Sequence, residues 1–462
     1  MAFKNTFSSR FGLTFIVLVL VMTACNNKTE SPYLATLMTA DPGHFHAALV
    51  QKQMYPEVNP EVFVFAPDES DVVDHMNRIE GFNTRDNDPT SWNTKQYVGA
   101  DFFDKMISQS PGNVLVLSGN NQKKTEYIHE AVKNGIHIYA DKPMVINQAD
   151  FDLLLEAYQI AEEKGVLLYD VMTERFEITS LLQKAFTGIP AIFGEFEKGS
   201  VDNPAVIKES VHHFFKYVSG NKIKRPPWFF DVMQEGDGIV DVTTHLVDLV
   251  QWSCYPEVIL DYQNDIEMLK ASRWPTILAQ EEFSVVTRLD EIPDYLQKDV
   301  DKDGMLQVYC NGEMTYKLKD IHARVKVEWK YKAPEGTGDT HYSIMRGTLA
   351  DLEIRQGENE AYKPELYLIP KIQTESYLSG LQKGFSKLAE DYPGIELIKL
   401  ENAYRISIPQ ELKIGHEAHF GQVTKQFLKY LEAGKLPDWE VPNSIAKYYT
   451  TTAAYELAKK QN

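Results

Sequence analysis

Asp241 and His245 stand four residues apart in the run Gly236-Asp237-Gly238-Ile239-Val240-Asp241-Val242-Thr243-Thr244-His245-Leu246-Val247-Asp248. The glycines give a loop that enters a helix, so the two side chains share one helical face. A carboxylate beside an imidazole orients the ring and raises its basicity, which is what a general base needs. A core histidine satisfied by its helical neighbour has the same spacing. Lys142 is the third candidate. Pro143 follows it and disfavours a helical backbone at the lysine, which helps aim the side chain away from the chain. The competing reading is a surface lysine. His212-His213-Phe214-Phe215-Lys216-Tyr217 and Arg225-Pro226-Pro227-Trp228-Phe229-Phe230 mix donors with rings. That mixture suits a carbohydrate, whose C–H faces stack on rings while its hydroxyls are hydrogen-bonded. Most of the rings belong to the core, which leaves His213, Lys216 and Trp228 as substrate candidates. Asp339, His341 and Arg346 add polar groups, with a solvated loop as the alternative.

The elements that position these groups alternate. Val114–Leu117 is an apolar β-rich run, followed by a Ser118-Gly119-Asn120-Asn121 turn. A helical stretch leads to Gly135, a short strand Ile136–Tyr139, and Asp141-Lys142-Pro143. Strand, helix, strand with short connections is the pattern of a parallel sheet, in which ligands bind beyond the carboxyl ends of the strands. Asn121 and Lys142 therefore face one crevice. Strands are also expected at Tyr33–Thr39, Glu61–Ala66 and Val166–Met172, with helices at Phe45–Met54, Ala100–Ser110 and Gln148–Gly165. Asn83–Trp92 reads as an ordered loop. After about residue 188 the texture turns to strands joined by short turns, at Gly194–Val201, Glu281–Leu289, Met305–Tyr309, Glu313–Leu318, His322–Tyr331, Ser343–Thr348 and Asp351–Gln356. Helices are expected near Asp241–Trp252, Thr374–Tyr392, His416–Gly434 and Ser444–Lys460.

The order of Asn121 and Asp141-Lys142-Pro143, together with the Asp241/His245 segment, resembles the Gfo/Idh/MocA oxidoreductases. Their signatures there are Glu-Lys-Pro and Gly-Gly-Gly-x-x-x-Asp-x-x-x-His-x-x-Asp. Asp141 replaces the Glu, and only Gly236 keeps a family glycine. The resemblance implies an α/β fold: an N-terminal Rossmann-like doubly wound parallel sheet over 33–175, and a C-terminal α+β domain over 176–462 with a large, mostly antiparallel sheet. It implies a catalytic set of Lys142, Asp241 and His245 acting on a secondary hydroxyl of a sugar or glycoside. It also implies a nicotinamide cofactor, NAD favoured over NADP; because an exported protein meets no pool of NAD, the cofactor is expected to be retained and recycled in place. The cofactor candidates are Gly43, His44, Asp68, Asn121, Asp141 and Lys142. The first loop, Met38-Thr39-Ala40-Asp41-Pro42-Gly43, keeps only the third glycine of the Gly-x-Gly-x-x-Gly fingerprint. A helix N-terminus at Gly43 still offers N–H groups to an anion, with His44 as a further donor. Asp68 lies two residues past the second strand and either reaches a ribose or is a turn carboxylate. Two alternatives use the same residues: a glycosidase working by transient oxidation and elimination, and a non-catalytic carbohydrate-binding protein that has lost NAD.

The 462 residues carry a formal net charge of −19, with 43% apolar and 24% charged residues. So acidic a soluble profile, without a basic run, argues against nucleic acid as partner. A small-molecule sugar and a homo-oligomer through the C-terminal sheet are the partners expected. Lys4 and Arg10, the apolar Leu13–Met22 and Met22-Thr23-Ala24-Cys25 read as a lipoprotein signal over 1–25, with a tether over 26–32. Lipidation at Cys25 would hang the protein from a membrane of the bacterial cell envelope. The alternatives are an ordinary signal peptide or a start placed too early. Cys254 and Cys310 are then left as two free thiols or one disulfide. No metal is expected. Asp299-Val300-Asp301-Lys302-Asp303-Gly304 lacks the closing Glu of a calcium loop and reads as a hairpin turn. His416-Glu417-Ala418-His419 has its histidines three apart rather than four and reads as a helix start.

Overall fold

Short, fully buried apolar runs separated by helical stretches build the first layer. In this computed structural model these are β1 (Leu37–Ala40), α1 (His46–Leu49), β2 (Glu61–Ala66), α2 (Glu69–Thr84), β3 (Asn93–Val98), α3 (Phe102–Gln109), β4 (Val114–Leu117), α4 (Lys124–Lys133), β5 (His137–Asp141), α5 (Gln148–Lys164) and β6 (Leu168–Val171). Beyond Met1, the structure describes residues 32–218 and 221–461. The leader, Cys25 and the tether up to residue 31 lie outside the described residues. The strands form one parallel sheet in the order β3-β2-β1-β4-β5-β6. The order reverses between β1 and β4, and that switch point is where a doubly wound sheet opens its crevice.

The second layer follows from α6 (Ile178–Thr187) onward: β7 (Val206–Phe215), β8 (Tyr217–Val218), β9 (Asn221–Lys222), α7 (Thr243–Cys254), β10 (Ile266–Leu278), α8 (Gln280–Thr287), β11 (Leu306–Leu318), β12 (Ile321–Lys332), β13 (Thr340–Arg346), β14 (Ala350–Arg355), β15 (Glu365–Pro370), α9 (Glu375–Asp391), β16 (Glu396–Lys399), β17 (Tyr404–Ser407), α10 (His416–Ala433) and α11 (Glu440–Gln461). Nine strands make a sheet in the order β10-β11-β12-β7-β13-β14-β15-β17-β16, antiparallel except for the β12–β7 pair. Burial alternates along β12, the signature of one face packed and one face wetter. The packed face joins Leu246, Val247 and Val250 of α7 and Leu381 and Leu388 of α9 in the main core. The last two helices return to the parallel sheet. Phe420, Val423 and Phe427 of α10 pack with Leu37, Val62 and Val116 on one face, and Tyr448 of α11 packs with Leu115 and Ile138 on the other.

The α/β architecture is the one expected, with local departures. Residues 194–201 form turns with isolated bridges at Phe196 and Gly199, and the strand begins at Val206. Glu281–Leu289 is helix α8, not a strand. Its apolar run is short enough to suit either period, and the Glu282 carboxylate accepts the Ala279 N–H at 3.0 Å while Phe283 and Val286 pack inward. The first helix stops at Leu49, where the next bonds tighten to three-residue spacing (Gln51 N–H to the Ala48 carbonyl, 2.9 Å; Lys52 N–H to the Leu49 carbonyl, 3.2 Å), and the Gln51 and Lys52 carbonyls beyond accept from Trp92 Nε1 (2.6 Å) and Arg85 (2.7 Å). Cys254 and Cys310 are both free and buried. Asp301 closes the turn before β11, its carboxylate accepting the N–H groups of Asp303 and Met305.

Candidate active site

The loops after β1, β4 and β5 meet the segment that leads into α7. Gly119, just past β4, has no room for a side chain: a Cβ there would lie 1.9 Å from the Asp41 carbonyl oxygen and 2.9 Å from the Gly43 nitrogen. The loops after β1 and β4 therefore touch through their backbones. From the other side, Asn121 N–H donates to the Gln234 carbonyl (2.8 Å) and its side-chain amide to the Glu235 carbonyl (2.6 Å). Asn121 thus anchors the 231–236 segment instead of facing an open crevice, and its Oδ1 is buried without a partner. A cavity of about 10 Å³ lies between Glu235, Asp241, Phe214 and Trp329, room for roughly one water.

Lys142 and Asp241 meet in an ion pair, Nζ to Oδ1, with both side chains nearly buried. Burial disfavours the lysine's charge, but Asp241, Asp141 and Glu235 outweigh it and hold Lys142 above the usual range. The ammonium is kept. Asp241 therefore serves Lys142 and not His245, which corrects the expected carboxylate–imidazole pair. The His245 Nδ1 is buried without a hydrogen-bond partner. Burial, then the Lys142 charge, push the ring down to about 4. His245 is neutral at physiological pH and can accept a proton. Glu235 lies beside the pair, and burial, then Asp241, raise its carboxyl well above the usual value. Lys124 donates to the Asp141 carbonyl at 3.0 Å and is pushed down to about 8 by burial.

The remaining expected residues divide. The Asp141 carboxylate is buried against His46 Nδ1 (2.8 Å), His44 Nδ1 (3.4 Å) and the Ser118 hydroxyl (3.0 Å). His44 is consequently a neighbour of Asp141, not a free donor. Asp68 is exposed at the end of β2 and acts electrostatically on Asp41 and Asp71. His213 and Lys216 converge on Asp339, joined by His212 at 3.2 Å. Burial opposes the Asp339 charge, yet His212, His213 and Lys216 hold it well below the usual range. Buried Arg225 interacts with Asp339 and with Glu235 and Asp241, so it links this cluster to the Lys142 site. Trp228 crosses to the first turn of α2, where its Nε1 donates to Asp71 at 3.1 Å. His341 is buried with an unpartnered Nε2. Arg346 sits at the opposite end of β13, its guanidinium donating to the Pro204 carbonyl, and is not brought to the site.

The first loop, as folded, does not fit a pyrophosphate. The Gly43 N–H donates to the Asp41 carbonyl (2.8 Å) and the His44 N–H to the Ser118 carbonyl (3.2 Å), so these two donors are spent. A Cβ on Gly43 would lie 2.7 Å from the Asp71 carboxylate and 2.8 Å from the Trp228 ring. Helix α1 has only four residues and supplies little dipole.

A family model described as "Putative oxidoreductase C terminal domain" matches residues 182–459. The crystal structure of "a putative oxidoreductase from Parabacteroides merdae" is 51% identical, covering 94% of this chain and 99% of that one, with a TM-score of 0.91. The chain belongs to the Gfo/Idh/MocA-type oxidoreductases. This oxidoreductase also shares its fold with levoglucosan dehydrogenase in complex with NADH and levoglucosan, at 12% identity, 92% and 98% coverage and a TM-score of 0.59. A 3-ketoreductase from Actinomadura kijaniata in complex with NADP and TDP-benzene has 11% identity, 90% and 96% coverage and a TM-score of 0.54. Among curated proteins nothing matches.

Sequence reasoning passed over several residues of this oxidoreductase's site. Glu235 stands beside Gly236 where the resemblance expects a glycine, and Lys124 and Asp71 had no role assigned. Asp41 was a turn residue; here burial, then Asp71 and Asp68, push it up from 3.8 to about 7. The folded protein thus holds a proton between those values that the unfolded chain has lost. Stability should fall as pH rises through that window, by up to about 1.4 kcal/mol per pH unit, and stay low above it. Asp41→Asn, which tolerates the positive φ of 49° at this position, should flatten that slope and raise stability at pH 8. Urea unfolding across pH 4–8 checks this; a variant as pH-sensitive as its parent contradicts it.

Proposed function

We propose that the enzyme oxidises a secondary hydroxyl of a sugar or glycoside, or reduces the corresponding ketone, with Lys142, Asp241 and His245 at the reacting carbon and a nicotinamide, when bound, taking up or supplying the hydride. The observation that carries the reading is the neutral His245, its Nδ1 unpartnered, in the electrostatic field of a Lys142 ammonium that Asp241 anchors. His245 takes the hydroxyl proton, Lys142 stabilises the negative charge that develops on the oxygen, and Asp241 keeps the lysine charged and placed. His213, Lys216, Trp228 and Asp339 supply donors, an acceptor and a ring suited to a carbohydrate. The sugar ligand of levoglucosan dehydrogenase supports that substrate class.

The fold neighbours carry NAD or NADP. For this chain NAD is favoured, because the carboxylates of Asp68 and Asp71 would repel the extra phosphate of NADP. Given the spent donors of the first loop, binding requires that loop and Trp228 to move. Mass analysis after denaturation and calorimetry should find NAD, with Asp71→Asn tightening it several-fold. No binding of either dinucleotide at millimolar concentration would sink the nicotinamide assignment.

A second reading, glycoside cleavage through transient oxidation, is favoured by one group. Glu235, protonated beside Asp241, is a candidate general acid for a departing aglycone. Release of nitrophenol from a nitrophenyl glycoside, lost in Glu235→Gln, would select it; a net ketone product without release would exclude it.

A further inference from the structure

His44 and His46 leave the end of β1 two residues apart, and Asp141 closes β5 on the other side of β4. Their side chains converge. His46 Nδ1 lies 2.8 Å and His44 Nδ1 3.4 Å from the same oxygen, Asp141 Oδ2, and the three ligand-type atoms lie within 4.8 Å of one another. The two imidazoles stand edge to face at 88°, with centroids 4.0 Å apart. A hydrogen-bonded network does not need all three. Asp141 Oδ2 is already satisfied by His46 and by the Ser118 hydroxyl, whereas the buried His44 Nδ1 faces it at the longer distance of 3.4 Å.

We propose that His44, His46 and Asp141 form a site for one divalent transition-metal ion. Two imidazole nitrogens and one carboxylate oxygen are the donors that Zn²⁺ and non-haem Fe²⁺ take, and the carboxylate excludes a purely thiophilic ion. Around tetrahedral Zn²⁺, with bonds of about 2.0–2.1 Å, donor atoms lie roughly 3.3 Å apart. The His44–Asp141 separation already matches, and His46 needs to draw back by about half an ångström. The local charge permits a cation: Lys142 is neutralised by Asp241, and Lys124 is spent on the Asp141 backbone carbonyl. Three protein ligands leave positions open for oxygen ligands, and Asp141 directly precedes Lys142. The ion would therefore sit at the carboxyl edge of the sheet, where it could bind a hydroxyl or carbonyl oxygen of a substrate.

The site goes beyond the proposed reaction, and metal binding is read without turnover, so either claim can fail alone. Purified protein stripped by a chelator is titrated with Zn²⁺, Fe²⁺, Mn²⁺ and Co²⁺. The expected result is about one equivalent retained after dialysis, a rise in thermal midpoint, and visible absorption bands with Co²⁺. His44→Ala should weaken binding at least tenfold, and Asp141→Asn should do the same. His44 is partly exposed, so its variant answers the question even where His46→Gln or Asp141→Asn fails to fold. Retention below a tenth of an equivalent with no thermal shift for any of the four ions overturns the site. So does full binding by the His44→Ala variant, which would place the ion elsewhere.

Discussion

His245→Ala and Lys142→Ala should each lower turnover of any sugar substrate by ~10²–10⁴-fold, the usual cost of a lost proton-transfer group. Both variants should stay folded. His245 is the residue in the first turn of α7 that reaches the surface, while its neighbours Thr243, Thr244 and Leu246 are buried. The pH dependence carries the sharper information. His245, pushed down to about 4 by burial and then by Lys142, stays neutral through most of the acid range. Activity should therefore hold well below pH 6 and decline only towards 4. Asp241→Asn should act through the lysine, because Asp241 is the largest of the charges that hold Lys142 up against its burial. Its loss should move the basic limb of the profile to lower pH. Unchanged rates in the Lys142 and His245 variants would place the chemistry elsewhere.

Lys447→Met should cost ~3–5 kcal/mol of stability, the typical loss when a buried ion network is broken from one side. The Lys447 ammonium is fully buried between Asp170 (2.6 Å) and Asp248 (3.2 Å). Asp248 is also gripped by Arg175 in a two-pronged pair, both bonds 2.7 Å, and Arg175 reaches Glu440 at 2.9 Å. Removing Lys447 leaves two carboxylates desolvated, one of them with Tyr448 as its remaining hydrogen-bond donor. The network ties β6, α7 and α11 together and so joins the two sheets. By contrast, Lys270→Ala breaks a pair in which both partners are largely exposed, and should change stability little. Urea unfolding of both variants is the measurement; a loss below about 1 kcal/mol in Lys447→Met would show that the network contributes little.

That network was not legible in the sequence. Arg175 finds Glu440 across 265 residues, and along the chain both read as ordinary surface charges. The parallel sheet was legible, because Val114–Leu117 and the strand ending at Asp141 are short buried runs with a helix between them. β3 was not, since Asn93–Val98 is polar and no strand residue there is fully buried. The spacing of Asp241 and His245 pointed to a candidate site, but local spacing cannot see Lys142, 99 residues away, which claims the carboxylate. The reading of no metal weighed His416 and His419 and passed over His44-Phe45-His46, a pair whose third member arrives only when β5 folds beside β4. The first loop's missing glycines hinted at a changed phosphate site. The structure supplies the reason: the loop is closed by Gly119 from behind and faced by Asp71 and Trp228.

In the proposed reaction a C–H bond at a carbinol carbon breaks at the Lys142–Asp241–His245 site. The most direct measurement compares a glucoside with its analogues deuterated at one ring carbon at a time. Turnover should be slower for deuterium at one carbinol position and unaffected at the others, and it should be lost in His245→Ala. Turnover equally fast for every deuterated analogue, or undiminished in His245→Ala, would contradict the proposed reaction.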